Sequence, residues 1–378
     1  MARRRGNGEG SITRRKDGRW EARYTSGAKR KTIYGKTRSE VAEKLAKAVV
    51  DRTGGLTYDA GSMTVAEYPQ GWLTDAVRDT VRQRTYERYE QIVRVHLIPA
   101  WPRMKLKKLT PADVRRLYQE KLDSGLAPRT VQYIHSTLHK ALKQAVADGL
   151  IPRNVAAAVK APRPKKKEIR PLSPEQVCTL LEAARSDRFE ALYVLAVHCG
   201  LREGELLGLK WEDLDLEAGT LAVRRTLSET RTGHLFEAPK NGKGRNIKLT
   251  AGAVEALKRH RKRQLEERMR LARLWEDHGL VFPNQVGKTM NASNLTSRSF
   301  KPILERAGLP HSVRLHDLRH TCATVLLSRN VHPKFVQELL GHANIAITLN
   351  TYSHVLPGMG DQTAAAMESV LPGRPNQL

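Results

Sequence analysis

No helix can run through residues 161–171. The stretch reads Ala161-Pro-Arg-Pro-Lys-Lys-Lys-Glu-Ile-Arg-Pro171. Each proline lacks a backbone N–H, clashes with the preceding turn and pushes its neighbour out of the helical region. A chain of 378 residues already favours two or three domains at roughly 150 residues each. This linker, 161–172, fixes one boundary, and its lysines suit a segment crossing a phosphate backbone. The next element starts at once: Ser173-Pro174-Glu175-Gln176 supplies a cap, a proline at the first helical position and a capping-box partner.

Before the linker the pattern changes near residue 60. Ser11–Arg15, Trp20–Tyr24 and Arg30–Tyr34 read as short strands, with turn signals at Asp17-Gly18 and Ser26-Gly27. Thr37-x-x-Glu40 then opens a helix with Val41, Leu45 and Val49 on one face. Residues 63–160 read as a bundle of four short helices, begun by Thr64-x-x-Glu67 and Thr110-Pro111-x-Asp113 among others. Beyond the linker, helices alternate to about Leu209, strands occupy Gly219–Leu249 with a hairpin signal at Asn241-Gly242, and helices resume to about Ser353. The fold class expected is mainly α with small β-sheets. Its parts are an N-terminal three-stranded sheet plus helix (1–60), a helical bundle (61–160), an α+β domain (173–360) and a tail (361–378). Within the tail, Gln362–Val370 reads as a short amphipathic helix, too short to stand alone in water.

Hydrophobic residues are 40% of the chain, enough to bury real cores. No apolar run approaches the ~20 residues that span a bilayer; Ala191–Val197 is among the longest. The start is basic without an apolar stretch behind it, unlike a secretory signal. Cys178, Cys199 and Cys322 are odd in number and form no Cys-x-x-Cys pair, which argues against a disulfide framework and a structural zinc site. The expectation is a cytoplasmic protein with no membrane partner, no cofactor and no metal.

The formal charge is +27. Residues 1–60 hold 16 basic and 7 acidic side chains, 61–160 hold 17 and 9, and 161–378 hold 33 and 23. Every segment is basic, so this is not a neutral enzyme with one basic tail. The partner such a distribution fits is nucleic acid, whose counterions are released when phosphates are neutralised.

Three stretches carry the candidate chemistry: Gly200-Leu-Arg202-x-x-Glu205-Leu, then His316-Asp-Leu-Arg319-His, then Leu340-Gly-His342 followed ten residues later by Tyr352-Ser-His. Singly each is commonplace; in this order and spacing, over about 173–356, they resemble the tyrosine recombinase (phage integrase) family. The likeness is to integrases of actinobacterial mobile elements and temperate phages. The resemblance implies a site-specific DNA recombinase. It works through a 3′-phosphotyrosyl intermediate and a Holliday junction, as a homotetramer on double-stranded DNA. Residues 61–160 then grip core sites and 1–60 arm-type sites, with an excisionase and a DNA-bending host factor as accessory partners. It makes Arg202, Lys240, His316, Arg319, His342 and Tyr352 the catalytic set, Tyr352 being the nucleophile. Lys240 is taken from Pro239-Lys240-Asn-Gly-Lys243-Gly-Arg245 as the hairpin lysine, with Lys243 as its rival. Some members carry Trp where this chain has His342. The tail helix is expected to dock on a neighbouring protomer.

The chemistry agrees with the residue types. Two arginines clamp non-bridging phosphate oxygens with paired donors and stay charged. Histidines move protons near neutral pH. A tyrosine nucleophile stores the phosphodiester energy in a covalent link, so strands reseal without ATP. Glu205 reads as an ion-pair support for Arg202, and Glu212, Asp213 and Asp215 read as a turn rather than a metal cluster. The alternatives are a DNA-binding regulator that lost catalysis, a type IB topoisomerase and a metal-dependent nuclease or transposase. The first would have lost some of the six residues, and all six are present.

Overall fold

The computed structural model describes residues 10–26, 29–53, 62–165, 171–352 and 367–370. The backbone divides into two compact units, Met1–Lys166 and Lys167–Leu378, so the division falls inside the proline-rich linker.

In the first unit, β1 (Ser11–Arg14), β2 (Trp20–Ser26) and β3 (Lys29–Gly35) form an antiparallel sheet in that order. Its small core is Ala22 with Val41 and Leu45 from the helix Arg38–Thr53. The Thr37 hydroxyl accepts the Glu40 amide, while the Glu40 carboxylate returns to the Lys36 amide rather than to the cap residue.

A separate core belongs to the helical bundle. Its helices are Glu67–Trp72 and Gln83–Ile92, each prolonged by a π-helical turn, then Pro111–Asp123 and Pro128–Ala147. The last buries Val131, Ile134, Leu138, Leu142 and Ala145, the stripe whose spacing marked it, in the same cluster as Val114, Leu117 and Tyr118. Each fully buried Leu or Ile contributes about 1.5–3 kcal/mol relative to exposure. Thr110 and Asp113 exchange hydrogen bonds as a complete capping box.

The second unit is organised around the helix Glu190–Cys199, apolar almost all round and buried accordingly. Its buried carboxylate, Glu190, is satisfied by Arg259 at 2.6 Å and Arg263 at 2.9 Å from the long helix Ala251–Leu271. The helices Glu203–Leu207, Leu315–Ser328, Pro333–Leu340 and Ile345–Tyr352 complete the surroundings of the site. Among the described residues no helix is long and apolar enough to cross a membrane.

One local expectation needs correction. The turn at Asn241-Gly242 exists, with the Gly242 amide donating to the Pro239 carbonyl at 2.8 Å, but it does not close a hairpin. β4 (Leu214–Asp215), β5 (Thr220–Val223) and β8 (Arg245–Lys248) form one sheet, whereas β6 (Thr226–Thr230) pairs with β7 (Gly233–Glu237). The reason is an earlier turn at Arg231-Thr232, where the Thr230 hydroxyl donates to the Gly233 carbonyl at 2.7 Å and β7 folds back on β6 first. The Asn241-Gly242 turn therefore joins two sheets. The tail helix falls mostly outside the described residues; Met367–Val370 is helical and exposed.

Thr110→Ala removes an N-cap and should cost about 1 kcal/mol. Hydrogen exchange should accelerate across Pro111–Asp123 and stay unchanged across Pro174–Ala184, which has its own box on Ser173 and Gln176. Equal acceleration in both helices would contradict a local cap effect.

Candidate active site

The site is assembled on the end of one short helix. Pro333–Leu340 stops in a Schellman motif: Gly341, left-handed at φ +63, donates to the Glu338 carbonyl, and His342 donates to Gln337, both at 3.0 Å. Three successive carbonyls then point out of the helix end, and each accepts from a different arginine. Leu339 takes Arg245 Nε at 2.7 Å, Leu340 takes Arg319 Nη2 at 2.7 Å, and Gly341 takes Arg202 Nη2 at 3.1 Å. Arg319 also donates to the carbonyl of Gly200 at 2.6 Å. Gly200 is a second left-handed helix end, at φ +60, where an added Cβ would lie 2.5 Å from the Leu340 side chain.

One carboxylate lies among these cations. Glu205, 3% exposed, accepts Arg202 Nη1 at 2.8 Å and both terminal nitrogens of Arg245 at 3.1 and 2.8 Å. Burial alone would raise its pKa. The Arg245 hydrogen bonds and charge, the Arg202 amide and the Arg202 charge outweigh that and hold the carboxyl at about 2. Arg319 is 3% exposed; burial first, then Arg202 and Arg245, pull its pKa down to about 9, which leaves it ionised at neutral pH. Its two hydrogen bonds use one N–H on each terminal nitrogen, and each nitrogen carries a second.

The tyrosine and the histidines converge on the same place. Tyr352, 1% exposed, packs with Ala323, Leu327, Val336 and Leu340. Its hydroxyl meets Nδ1 of His320 at 2.7 Å. Burial pushes the phenol up to about 12, with the Arg319 charge working against the rise. His342 Nδ1 meets the Thr348 hydroxyl at 2.8 Å, which ties it to the helix that ends in Tyr352. Burial, then the charges of Arg319 and Arg202, push His342 down to about 4. His316 is open to solvent along one edge, and its ring meets that of His320 edge-on at 5.0 Å. Loss of water on the packed side, then His320 and Arg319, push its pKa down to about 4.

The sequence profile of the Phage integrase family matches residues 170–358, and that of the phage integrase N-terminal SAM-like domain matches 64–122. A XerC-like tyrosine recombinase of Caldanaerobacter subterraneus subsp. tengcongensis is 33% identical over 87% of this chain and 88% of its own. An integrase of Streptomyces ambofaciens is 31% identical over 98% of each chain. The chain belongs to the phage integrase family. It is a tyrosine-type site-specific DNA recombinase. The Tn1549 transposon integrase, solved in complex with transposon right end DNA, shares the fold at a TM-score of 0.69 and 23% identity, over 82% of this chain and 100% of that one.

Of the residues anticipated for this recombinase, Arg202, Glu205, Arg319, His342 and Tyr352 come together. Lys240 and Lys243 stand exposed on the Pro239–Gly242 turn and its flank, and His316 stands exposed beside the His320 ring. Glu212 and Asp213, on a 3-10 turn of helix rather than the turn expected, both pair with Arg225, and Asp215 ends β4 and accepts the amides of Glu217 and Ala218 in the turn that follows. Two residues escaped the sequence reading. Arg245 looked like one more basic strand residue, and His320 was overshadowed by the His316-x-x-Arg319 spacing. The available signal for His320 was its place directly after Arg319, inside the motif itself.

Glu205 has a depressed pKa in the folded chain, so its stabilisation is complete above the unfolded value of about 4.5 and is lost as pH falls through about 2. The parent should lose stability across that window. Glu205→Gln should be less stable at pH 7 and show a flatter acid limb, read from thermal midpoints between pH 7 and pH 2. Parallel curves for the two proteins would contradict the assignment.

Proposed function

We propose that this recombinase integrates or excises a mobile element by attack of Tyr352 on a scissile phosphate, forming a 3′-phosphotyrosyl link and, after the first exchange, a Holliday junction. The observation that carries the reading is the Tyr352 hydroxyl in hydrogen-bond contact with an imidazole and within the field of Arg319, in a pocket where Arg202 and Arg319 are already fixed.

Each guanidinium donates to non-bridging oxygens, where charge grows in the transition state. His342 and His316, held neutral, offer hydrogen bonds around the same phosphate. Lys240 protonates the leaving 5′-oxygen. The turn that carries it joins two sheets, which lets it follow the backbone of bound DNA. Two duplexes require four strand cleavages, so four copies of Tyr352 are needed and the acting unit is a homotetramer. Residues 61–160 hold the core site. Arg88 and Arg129 both lie over the exposed Tyr133 ring, at 5.3 and 5.0 Å from its centroid, as part of a basic helical face. The basic sheet and helix within 1–60 serve arm-type sites. The reaction takes place in the bacterial cytoplasm, where such DNA lies.

Tyr352→Phe should abolish the covalent adduct on a nicked suicide substrate while core-site binding in a gel shift stays near the parental level. An undiminished adduct would sink the nucleophile assignment. Lys240→Ala should be slower by on the order of 10²–10⁴ on ordinary DNA. It should recover almost fully on a strand with a 5′-bridging sulfur, since a thiolate leaves without a proton. Rescue of Lys243→Ala instead would place the acid on the other side of the turn.

A further inference from the structure

We infer that His320 is the proton acceptor for the nucleophile, its Nδ1 taking the phenolic proton of Tyr352 as the hydroxyl oxygen attacks phosphorus. The inference rests on Tyr352 being the nucleophile.

The geometry is direct. Nδ1 of His320 lies 2.7 Å from the Tyr352 hydroxyl, and the ring centroids are 5.8 Å apart. The contact is held from both sides. His320 follows Arg319 on the helix Leu315–Ser328, and Arg319 is pinned by the carbonyls of Gly200 and Leu340, which fixes the helix where it meets the tyrosine. On the other side the His316 ring lies edge-on at 5.0 Å, at 88°. His316 thus braces His320, while the hydroxyl faces His320.

The chemistry needs a base here. A phenol that burial holds near 12 supplies almost no phenolate at neutral pH. Burial keeps His320 below the usual imidazole range. Asp317 opposes that, while Arg319 and Arg314 reinforce it. The ring is therefore neutral at pH 7. With Nδ1 accepting, its proton sits on Nε2. An incoming phosphodiester adds negative charge beside the ring and so favours imidazolium when the proton arrives. In the forward step the Tyr352 Oη–P bond forms and the P–O5′ bond breaks. The phenolic proton moves to Nδ1, and the 5′-oxygen takes a proton from the Lys240 ammonium. Rejoining reverses all four events, so His320 ends neutral.

Asparagine separates proton transfer from positioning, because its amide oxygen can sit near the place of Nδ1 and accept a hydrogen bond but not a proton. In full-length recombinase on a suicide substrate, His320→Asn should form adduct more slowly by on the order of 10²–10⁴ at pH 7. Its rate should climb about tenfold per pH unit as Tyr352 ionises unaided, whereas the parent levels off once His320 is neutral. His320→Ala should regain part of its rate on addition of imidazole, a response that a merely misfolded variant would not give. Asparagine cleaving at the parental rate, or slowly but with the parental pH profile and no imidazole response in His320→Ala, would overturn the inference. Peptide mapping of the adduct keeps the two readings apart: attachment at Tyr352 with an unchanged profile rejects His320 alone, whereas attachment elsewhere rejects Tyr352 as well.

Discussion

Three carbonyls at the end of one eight-residue helix hold the arginines of the site in place. The last carbonyls of a helix have no partner within it and carry partial negative charge. Here Leu339, Leu340 and Gly341 give theirs to Arg245, Arg319 and Arg202, which arrive from three separate elements. The alternative would be a carboxylate for each arginine. That would fix them equally well and cancel the charge that a phosphate must find. Carbonyls orient a guanidinium without neutralising it. Among the described residues only Glu205 serves as a counterion to these arginines, and it is shared between Arg202 and Arg245. Three cations against one anion leave the cluster electropositive.

Burial first, and that excess charge after it, set the titration behaviour of the neighbours. His316 and His342 are both driven down by burial with arginine charges adding to it, and His320 by burial with Arg319 and Arg314 adding to it. The same field works in the opposite sense on Tyr352, where Arg319 moderates the rise that burial imposes. A buried cluster of like charges opposes folding. In the proposed reaction a phosphodiester offsets that charge, so bound DNA should stabilise this unit. In the proposed reaction, an arriving phosphate adds negative charge beside the neutral imidazoles and the protonated phenol.

The sequence was informative where a residue's role is local. Capping boxes at Thr110 and Ser173 appear as read, because a cap depends on residues three apart. The stripe from Val131 to Ala145 defined its helix for the same reason. The order of the Arg202, His316–Arg319, His342 and Tyr352 motifs pointed to one pocket through family likeness, and five of the anticipated residues do meet there. What stayed hidden depends on distant pairing. Asn241-Gly242 is a turn in the chain, yet the partners of β7 and β8 were decided by Arg231-Thr232 and by β5. Arg245 became legible only once Glu205 and Leu339 were beside it. The glycines of Gly200-Leu-Arg202 and Leu340-Gly-His342 turn out to be two left-handed helix ends facing each other, at φ +60 and +63. Each releases a carbonyl toward an arginine, a relation invisible from either motif alone.

The position of Lys240 follows from the same hub. Arg245 is locked by Leu339 and Glu205 and is half-way out of the solvent, and Lys240 is five residues upstream on an exposed turn. Five extended residues reach at most about 17 Å. The lysine is therefore tethered close to the arginines without belonging to their network, and nothing in the hub dictates where along that tether it rests. The proposed donation of a proton to a leaving strand gains from this separation. Held inside the cluster, its ammonium would add a fourth positive charge. Carried on a turn between two sheets, it stands exposed to solvent. In the proposed reaction the arginine cluster therefore stabilises charge, and the tethered lysine delivers the proton.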